Sequence, residues 1–377
     1  MSRVLLVTND FPPRPGGIQS FLHGLVARLP HDEVVVYTSR WRGWEEWDAE
    51  QPFTVIREPT SVLLPTPRVR RRAIRLMREH ECAAVWFGAA APLGLLAPAL
   101  RRAGAQRILA TTHGHEAGWA VSPGARQLLR RIAGAVDVVT YLGDYTRTKL
   151  ADALGRSEAG KLQRLAPGVD AATFRPGLGA EVRAALALTD RPVTVCVSRL
   201  MPRKGQDVLI RAWPLVQQQV PDAALLLVGG GPSRDRLVRL AQSLGVADAV
   251  VFTGSVAWPL LPAYYGAGDV FAMPCRTRLG GLDVEGLGIV FLEAAACGLP
   301  VVAGDSGGAA DAVDNGVTGE VVDGRSVPAV ASALAGLLAE RSRAAAMGEK
   351  GRAWVQQEWS WEASVKRLGA MLDPSAR

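Results

Sequence analysis

The 377-residue chain lacks the residues that would build several kinds of protein. Its four cysteines, Cys82, Cys196, Cys275 and Cys297, stand far apart with no Cys-x-x-Cys pair, which excludes a disulfide framework and a cysteine-based zinc site. No Asp-x-Asp pair is present to hold a divalent metal on a nucleotide diphosphate, so no metal and no other cofactor is expected. Long apolar runs are missing as well. The longest, Ala83 to Leu100, is interrupted by Pro92, Pro98 and glycines, and no bilayer span is expected. Met1-Ser2-Arg3 leads directly into Val4-Leu5-Leu6-Val7 without an apolar leader core, so export by a signal peptide is not expected and a reducing cytoplasm fits. There is no low-complexity tract and no repeat of solenoid period.

Lysine is scarce among the 43 basic residues, and the net charge of +7 is carried by arginine. A positive balance suits an anionic partner, either lipid or nucleic acid, but arginine in place of lysine also follows from genome composition. The absence of a recognised binding module and the acid-containing loops described below speak against nucleic acid.

At this length two domains are expected. Short β-branched runs alternate with longer amphipathic stretches, the pattern of parallel strands joined by crossover helices, so the fold class is α/β. In the first half, strands are expected at residues 4–8, 34–38, 84–88, 108–112 and 138–142. A polar, proline-containing segment, 166–176, interrupts the pattern, which resumes with strands at 193–198, 225–229, 250–254, 270–274, 301–304 and 320–322. The expected division is an N-terminal domain over 1–170 and a C-terminal domain over 171–357, with a last helix, 358–377, crossing back to the first. Two doubly wound domains facing a cleft would bind ligands beyond the carboxyl ends of their strands.

The candidate loops fall there. After the first strand, Asn9-Asp10-Phe11-Pro12-Pro13-Arg14-Pro15-Gly16-Gly17 precedes a helix expected near Ile18. Paired glycines at a helix start let backbone N–H groups approach a phosphate, although a ligand-free Pro-Gly turn has the same sequence. Asp10, with Gln19 in the following helix, is a candidate for holding acceptor hydroxyls; an aspartate that only stabilises the turn is the other reading. After the fourth strand comes Thr112-His113-Gly114-His115-Glu116, where a histidine can hydrogen-bond a sugar or steady a developing charge. His113 and His115 are both candidates.

In the second half, Ser198-Arg199-Leu200-Met201-Pro202-Arg203-Lys204-Gly205 offers Arg199 and Lys204 as a grip on a diphosphate. A solvated basic helix start would read the same, but cations there oppose the helix dipole, and a bound anion explains them better. Asp283-Val284-Glu285-Gly286-Leu287-Gly288-Ile289-Val290-Phe291-Leu292-Glu293 precedes a helix closed by Gly298 and Pro300. Carboxylates eight positions apart lie about 80° apart on a helix, so they do not share a face. The glycines put Glu285 in the loop and Glu293 on the helix. Each then serves a different sugar, with the N–H groups of Gly286, Leu287, Gly288, Ile289 and Val290 towards phosphate or hexose.

Together these motifs resemble glycosyltransferases of the GT-B architecture, family 4: Glu-x7-Glu at Glu285 and Glu293, the Arg-x4-Lys pair at Arg199 and Lys204, the glycine loop at Gly16-Gly17, and the strand-end His113. The stretches 7–13, 85–92, 112–116 and 282–290 resemble, more narrowly, the actinobacterial phosphatidylinositol mannoside mannosyltransferases. That resemblance implies GDP-mannose as donor, a phosphatidylinositol monomannoside as acceptor, and transfer with retention. It implies catalytic roles for His113, Arg199, Lys204 and Glu285, with no protein nucleophile. A family 4 enzyme with another donor or acceptor, such as a glucuronosyl diacylglycerol, stays open here, as does a nucleotide-sugar epimerase.

Between Pro67 and His80 a basic amphipathic stretch carries Arg70, Arg71, Arg75 and Arg78. Such a helix can lie on an anionic membrane surface, and peripheral attachment to the inner face of the plasma membrane is expected; a solvated helix covering the sheet is the other reading. Arg126, Arg130 and Arg131, with Leu128 and Leu129, make a second candidate contact. Nothing in the sequence fixes an oligomeric state.

Overall fold

The computed structural model describes residues 3–114 and 123–375, and His115 therefore lies outside the described residues. The chain divides into two compact units, Met1–Gly168 with Trp361–Arg377, and Val169–Ser360.

The first unit holds a seven-stranded parallel sheet of β1 (Val4–Val7), β2 (Val34–Ser39), β3 (Thr54–Glu58), β4 (Ala84–Phe87), β5 (Arg107–Ala110), β6 (Val138–Tyr141) and β7 (Leu162–Arg164). Their order is β3-β2-β1-β4-β5-β6-β7. Val4 is in register with both Val34 and Ala84, so β1 is hydrogen-bonded on both sides. Helices cover its two faces, which is why β1 and β4 read as unbroken apolar runs with every residue buried rather than as alternating patterns.

The second unit repeats the plan with six parallel strands: β8 (Val193–Val197), β9 (Ala224–Val228), β10 (Val250–Gly254), β11 (Val270–Met273), β12 (Val301–Gly304) and β13 (Gly319–Val322). Their order is β10-β9-β8-β11-β12-β13. In both sheets the winding reverses beside the first strand, between β1 and β4 and again between β8 and β11. These are the topological switch points, where the loops after the strands diverge and leave a crevice for a ligand.

Two strands escape the sequence reading, β3 and β7. Both lie at edges, so they lack the two-sided burial that makes an internal parallel strand apolar: β3 reads Thr-Val-Ile-Arg-Glu with mostly part-exposed residues, and β7 is only Leu-Gln-Arg.

The last helix, Trp361–Leu372, packs within the first unit. Trp361 fills the space left by Gly24, where a Cβ would come within 2.3 Å of the indole. Arg28 stacks over the same ring at 4.8 Å. Ser364 donates to the Ala166 carbonyl at 2.8 Å, and the Arg107 side chain donates to the Met371 carbonyl at 2.9 Å.

Candidate active site

In the first unit the loop after β1 is built by polar anchors. Asn9 exchanges hydrogen bonds with Leu63, donating to its carbonyl at 2.9 Å and accepting from its N–H at 2.5 Å. Arg57, on β3, donates to the Pro12 carbonyl at 2.6 Å while it pairs with Asp48 at 2.7 Å. The Arg57 side chain is 1% exposed, so a buried guanidinium fixes the loop's path. Gln19 donates to the Asp10 carboxylate at 2.8 Å, bringing two acceptor candidates together. The helix Gly17–Val26 starts behind Gly16 without a side-chain cap, leaving its first N–H groups unclaimed by any capping side chain. A Cβ on Gly16 would strike Gln19 Oε1 at 2.2 Å, whereas nothing lies within 4 Å of one on Gly17. An added Cβ at Gly16 would displace the Gln19 amide that holds Asp10, whereas Gly17 presents open backbone.

His113 sits at the end of β5 with its Nε2 at 2.5 Å from the Gly88 carbonyl, which fixes Nε2 as the protonated nitrogen. Phe21 packs edge-on against the ring at 5.8 Å. Since Gly88 follows β4 and Asp10 follows β1, both candidates flank the switch point of the first sheet.

The second unit gathers the charged residues. The Lys204 ammonium lies 2.7 Å from the Glu285 carboxylate, with side-chain exposures of 11% and 8%. Arg203 approaches the same carboxylate at 3.7 Å and Asp283 at 3.8 Å. Arg278 pairs with Asp283 at 3.3 Å. The basic segment is thus no solvated helix start: Lys204 is buried and charge-paired. Arg199, by contrast, is exposed.

Glycines permit this convergence. Gly205, with φ of +80°, brings the loop after β8 so near the loop after β11 that a Cβ would lie 2.0 Å from the Pro274 carbonyl. On the other side Gly308 donates to the Glu285 carbonyl at 2.9 Å, and a Cβ on Gly307 would lie 2.1 Å from that oxygen. Ser306-Gly307-Gly308, just after β12, supports the Glu285 loop although the sequence reading passed over it; paired glycines after a strand were the available signal. Arg203, in the same basic segment, has no sequence signal that separates it from Arg199 and Lys204.

The helix of the second carboxylate runs Ile289–Ala296 and begins behind Gly288, again with no side-chain cap and no acidic residue in its first turn. Glu285 precedes it and Glu293 lies on it, as the glycine spacing indicates. Glu293 accepts a hydrogen bond from the buried Tyr265 hydroxyl at 2.7 Å. Desolvation pushes the Glu293 carboxyl up to about 7, with the Tyr265 hydrogen bond pulling the other way. Tyr265 is itself held well above its ordinary value, first by burial and then by the Glu293 charge. Tyr265, in the Leu261–Gly266 helix, carried no signal in the sequence, because a tyrosine amid apolar residues reads as core.

Among the described residues no group of His, Cys, Asp or Glu gathers as metal ligands, and no helix is long and apolar enough to cross a membrane. Arg70, Arg71, Arg75 and Arg78 are exposed on the helix Pro67–Glu79, which Thr66 caps. Arg126 and Arg130 donate to the Asp152 and Ala153 carbonyls at 2.7 Å each, and Leu129 is in the core. These guanidiniums satisfy the open carbonyls at the end of the helix Asp144–Leu154, while Arg131 beside them is exposed.

Two Rossmann-like parallel sheets of like winding, each with a loop-lined switch point, are the plan of the GT-B fold of glycosyltransferases. A family model described as Glycosyltransferase Family 4 matches residues 15–173, and one described as Glycosyl transferases group 1 matches 180–354. The chain is 54% identical over 375 residues to the GDP-mannose-dependent alpha-(1-6)-phosphatidylinositol monomannoside mannosyltransferase of Mycolicibacterium smegmatis, covering 98% of each chain. It is 53% identical over 387 residues to the protein of the same description from Mycobacterium tuberculosis H37Rv, covering all of both. The crystal structure of Anabaena Alr3699/HepE in complex with UDP shares the fold with a TM-score of 0.83 at 20% identity, covering 98% of this chain and 99% of that one. The chain belongs to glycosyltransferase family 4, within the group formed by these mannosyltransferases.

Proposed function

We propose that this protein transfers a mannosyl group from GDP-mannose to phosphatidylinositol monomannoside, giving the dimannoside with retention at the anomeric carbon. The supporting observation is the gathering of Lys204, Glu285 and the uncapped helix start at Gly288 around one switch point, in a chain 54% identical to an enzyme so described. The second unit takes the donor and the first unit the acceptor.

Arg199, Lys204 and the N–H groups at Gly16-Gly17 and Gly286 to Val290 neutralise the diphosphate as negative charge builds on it. Lys204 shifts part of its interaction from Glu285 to phosphate, which frees Glu285 to hold mannose hydroxyls. Glu293 accepts from the ribose hydroxyls. His113 holds the hexose from the first unit, and Asp10 with Gln19 holds the inositol ring. The anomeric carbon–phosphate bond breaks, and the acceptor oxygen bonds to that carbon on the same face. Its proton passes to the departing phosphate oxygen, so no carboxylate nucleophile of the kind used by retaining hydrolases is needed.

The reaction runs on the inner face of the plasma membrane. The helix Pro67–Glu79 holds the first unit there through Arg70, Arg71, Arg75 and Arg78, each contributing roughly 1 kcal/mol near an anionic surface. Incubating the protein with GDP-mannose, with and without phosphatidylinositol monomannoside, and weighing the products tests the assignment. Dimannoside is expected only with both substrates; donor conversion without acceptor would overturn it.

A further inference from the structure

Beyond its proposed donor site, the second unit carries a surface that neither its packing nor the transfer chemistry requires. The loop after β11 closes into a small hairpin, with Arg278 N–H donating to the Asp283 carbonyl at 2.9 Å. At its tip Leu279 is 69% exposed and Leu282 is 66% exposed, and they are the two most exposed large apolar side chains among the described residues. Leu279 has a φ of +50°, followed by Gly280 at +63° and Gly281 at +99°. A branched side chain at positive φ is strained, and glycine or asparagine would suit that position better. The leucine is therefore kept against both backbone preference and solvation.

Beside the hairpin lies an open pocket lined by Asp207, Arg211, Arg276, Arg278 and Arg325. Arg276 pairs with Asp207 at 2.9 Å and Arg278 with Asp283 at 3.3 Å. Arg325 donates only to the Thr277 carbonyl, and Arg211 has no side-chain partner among the described residues. Four guanidiniums face a single lining carboxylate, so the pocket carries a positive excess beside an apolar tip. Leucines on a tight turn next to Arg211 and Arg325, which have no carboxylate partner among the described residues, match an anionic bilayer, with acyl chains for the tip and phosphates for the guanidinium forks.

We infer that the second unit has its own contact with anionic phospholipid: Leu279 and Leu282 enter the acyl boundary while Arg211, Arg278 and Arg325 hold headgroup phosphates. This deepens the proposed function, since it brings the donor-binding unit to the surface in which a lipid acceptor resides.

The four native cysteines are buried, and burial raises their thiols to about 11 or 12. A full-length Leu282→Cys variant can therefore be labelled selectively with an environment-sensitive fluorophore. Vesicles of phosphatidylcholine and phosphatidylglycerol in equal parts should shift its emission to the blue, and phosphatidylcholine alone should not. The Leu279→Ser/Leu282→Ser variant should partition onto the mixed vesicles roughly tenfold more weakly. Arg211→Ser/Arg325→Ser should weaken the preference for anionic lipid, and further so when Arg70, Arg71, Arg75 and Arg78 are also serine. Both should turn over a deacylated, water-soluble acceptor normally. An unshifted emission, or a leucine variant that binds normally even when Arg70, Arg71, Arg75 and Arg78 are also serine, overturns the inference. Failure of the unsubstituted protein to mannosylate phosphatidylinositol monomannoside, with vesicle binding intact, would instead overturn the proposed reaction and leave the lipid contact standing.

Discussion

Lys204 and Glu285 illustrate what a buried charge pair demands of its partners. With 2.7 Å between them and little exposure on either side, deleting one leaves the other desolvated and unpaired. Lys204→Ala should cost about 3 kcal/mol of stability, the low end for such a break, because Arg203 at 3.7 Å gives Glu285 a residual partner. Turnover should fall on the order of 10²-fold through lost stabilisation of the leaving group. Steady-state kinetics beside a thermal melt separates the two effects, and near-normal turnover would remove Lys204 from the mechanism. Glu293 gives a pH signature. Its carboxyl is neutral below about 7 and charged above. Its favourable share of the unliganded protein's stability is therefore present at low pH and lost as pH rises through about 7. With Glu293 accepting from the ribose hydroxyls as proposed, GDP-mannose binding should tighten as pH rises through that value and should release a proton. Calorimetry in buffers of different ionisation enthalpy reads this directly. Tyr265→Phe removes a group that lowers the carboxyl's pKa, and the inflection should move to higher pH. A binding enthalpy that ignores the buffer would show that Glu293 does not meet the ribose.

Loops, at the scale of elements, depend on anchors outside them. Arg57 ties β3 to the glycine loop through Pro12, to β2 through the Ser39 carbonyl and to Asp48. Arg57→Ala should destabilise the first unit by about 3–5 kcal/mol and lower its melting temperature by roughly 10 °C. In a preparation held well below that temperature, it should also weaken transfer by loosening the Gly16-Gly17 backbone. Gly307→Ala tests the support of the Glu285 loop from behind: with φ of +59° and the Glu285 carbonyl 2.1 Å from the added Cβ, the loop must move. The expected result is a raised KM for GDP-mannose with a smaller change in thermal stability. An unchanged KM would mean that the loop tolerates the shift.

For the whole molecule, the question is how a chain without a membrane-spanning helix among its described residues finds a lipid. The helix Pro67–Glu79 is held to the sheet by apolar residues and by Arg68, which pairs with the buried Glu58 at 2.7 Å. Arg70, Arg71 and Arg78 have no such partner among the described residues, and Arg75 reaches only Glu79 at 3.9 Å. Changing Arg70, Arg71, Arg75 and Arg78 to Ser should reduce flotation with anionic liposomes and weaken its dependence on salt. Flotation equal to that of the unsubstituted chain would assign this helix to solvent.

Much of this protein was legible residue by residue. Internal strands announced themselves as apolar runs because parallel strands are buried on both faces, and glycines, prolines and charges marked the loops that follow them. Position relative to the next helix separated Glu285 from Glu293. What periodicity does not carry is which strand lies beside which. The order β3-β2-β1-β4, and its repeat around β8 and β11, put the chosen loops at the switch points. Long-range pairing also decided that Lys204 rests on Glu285, that Tyr265 holds Glu293 and that Gly307 supports the loop from behind. β3 and β7 went unread because an edge strand need not be apolar. Local sequence thus set the elements and the chemistry at hand, while contacts between residues tens of positions apart selected which of those groups meet.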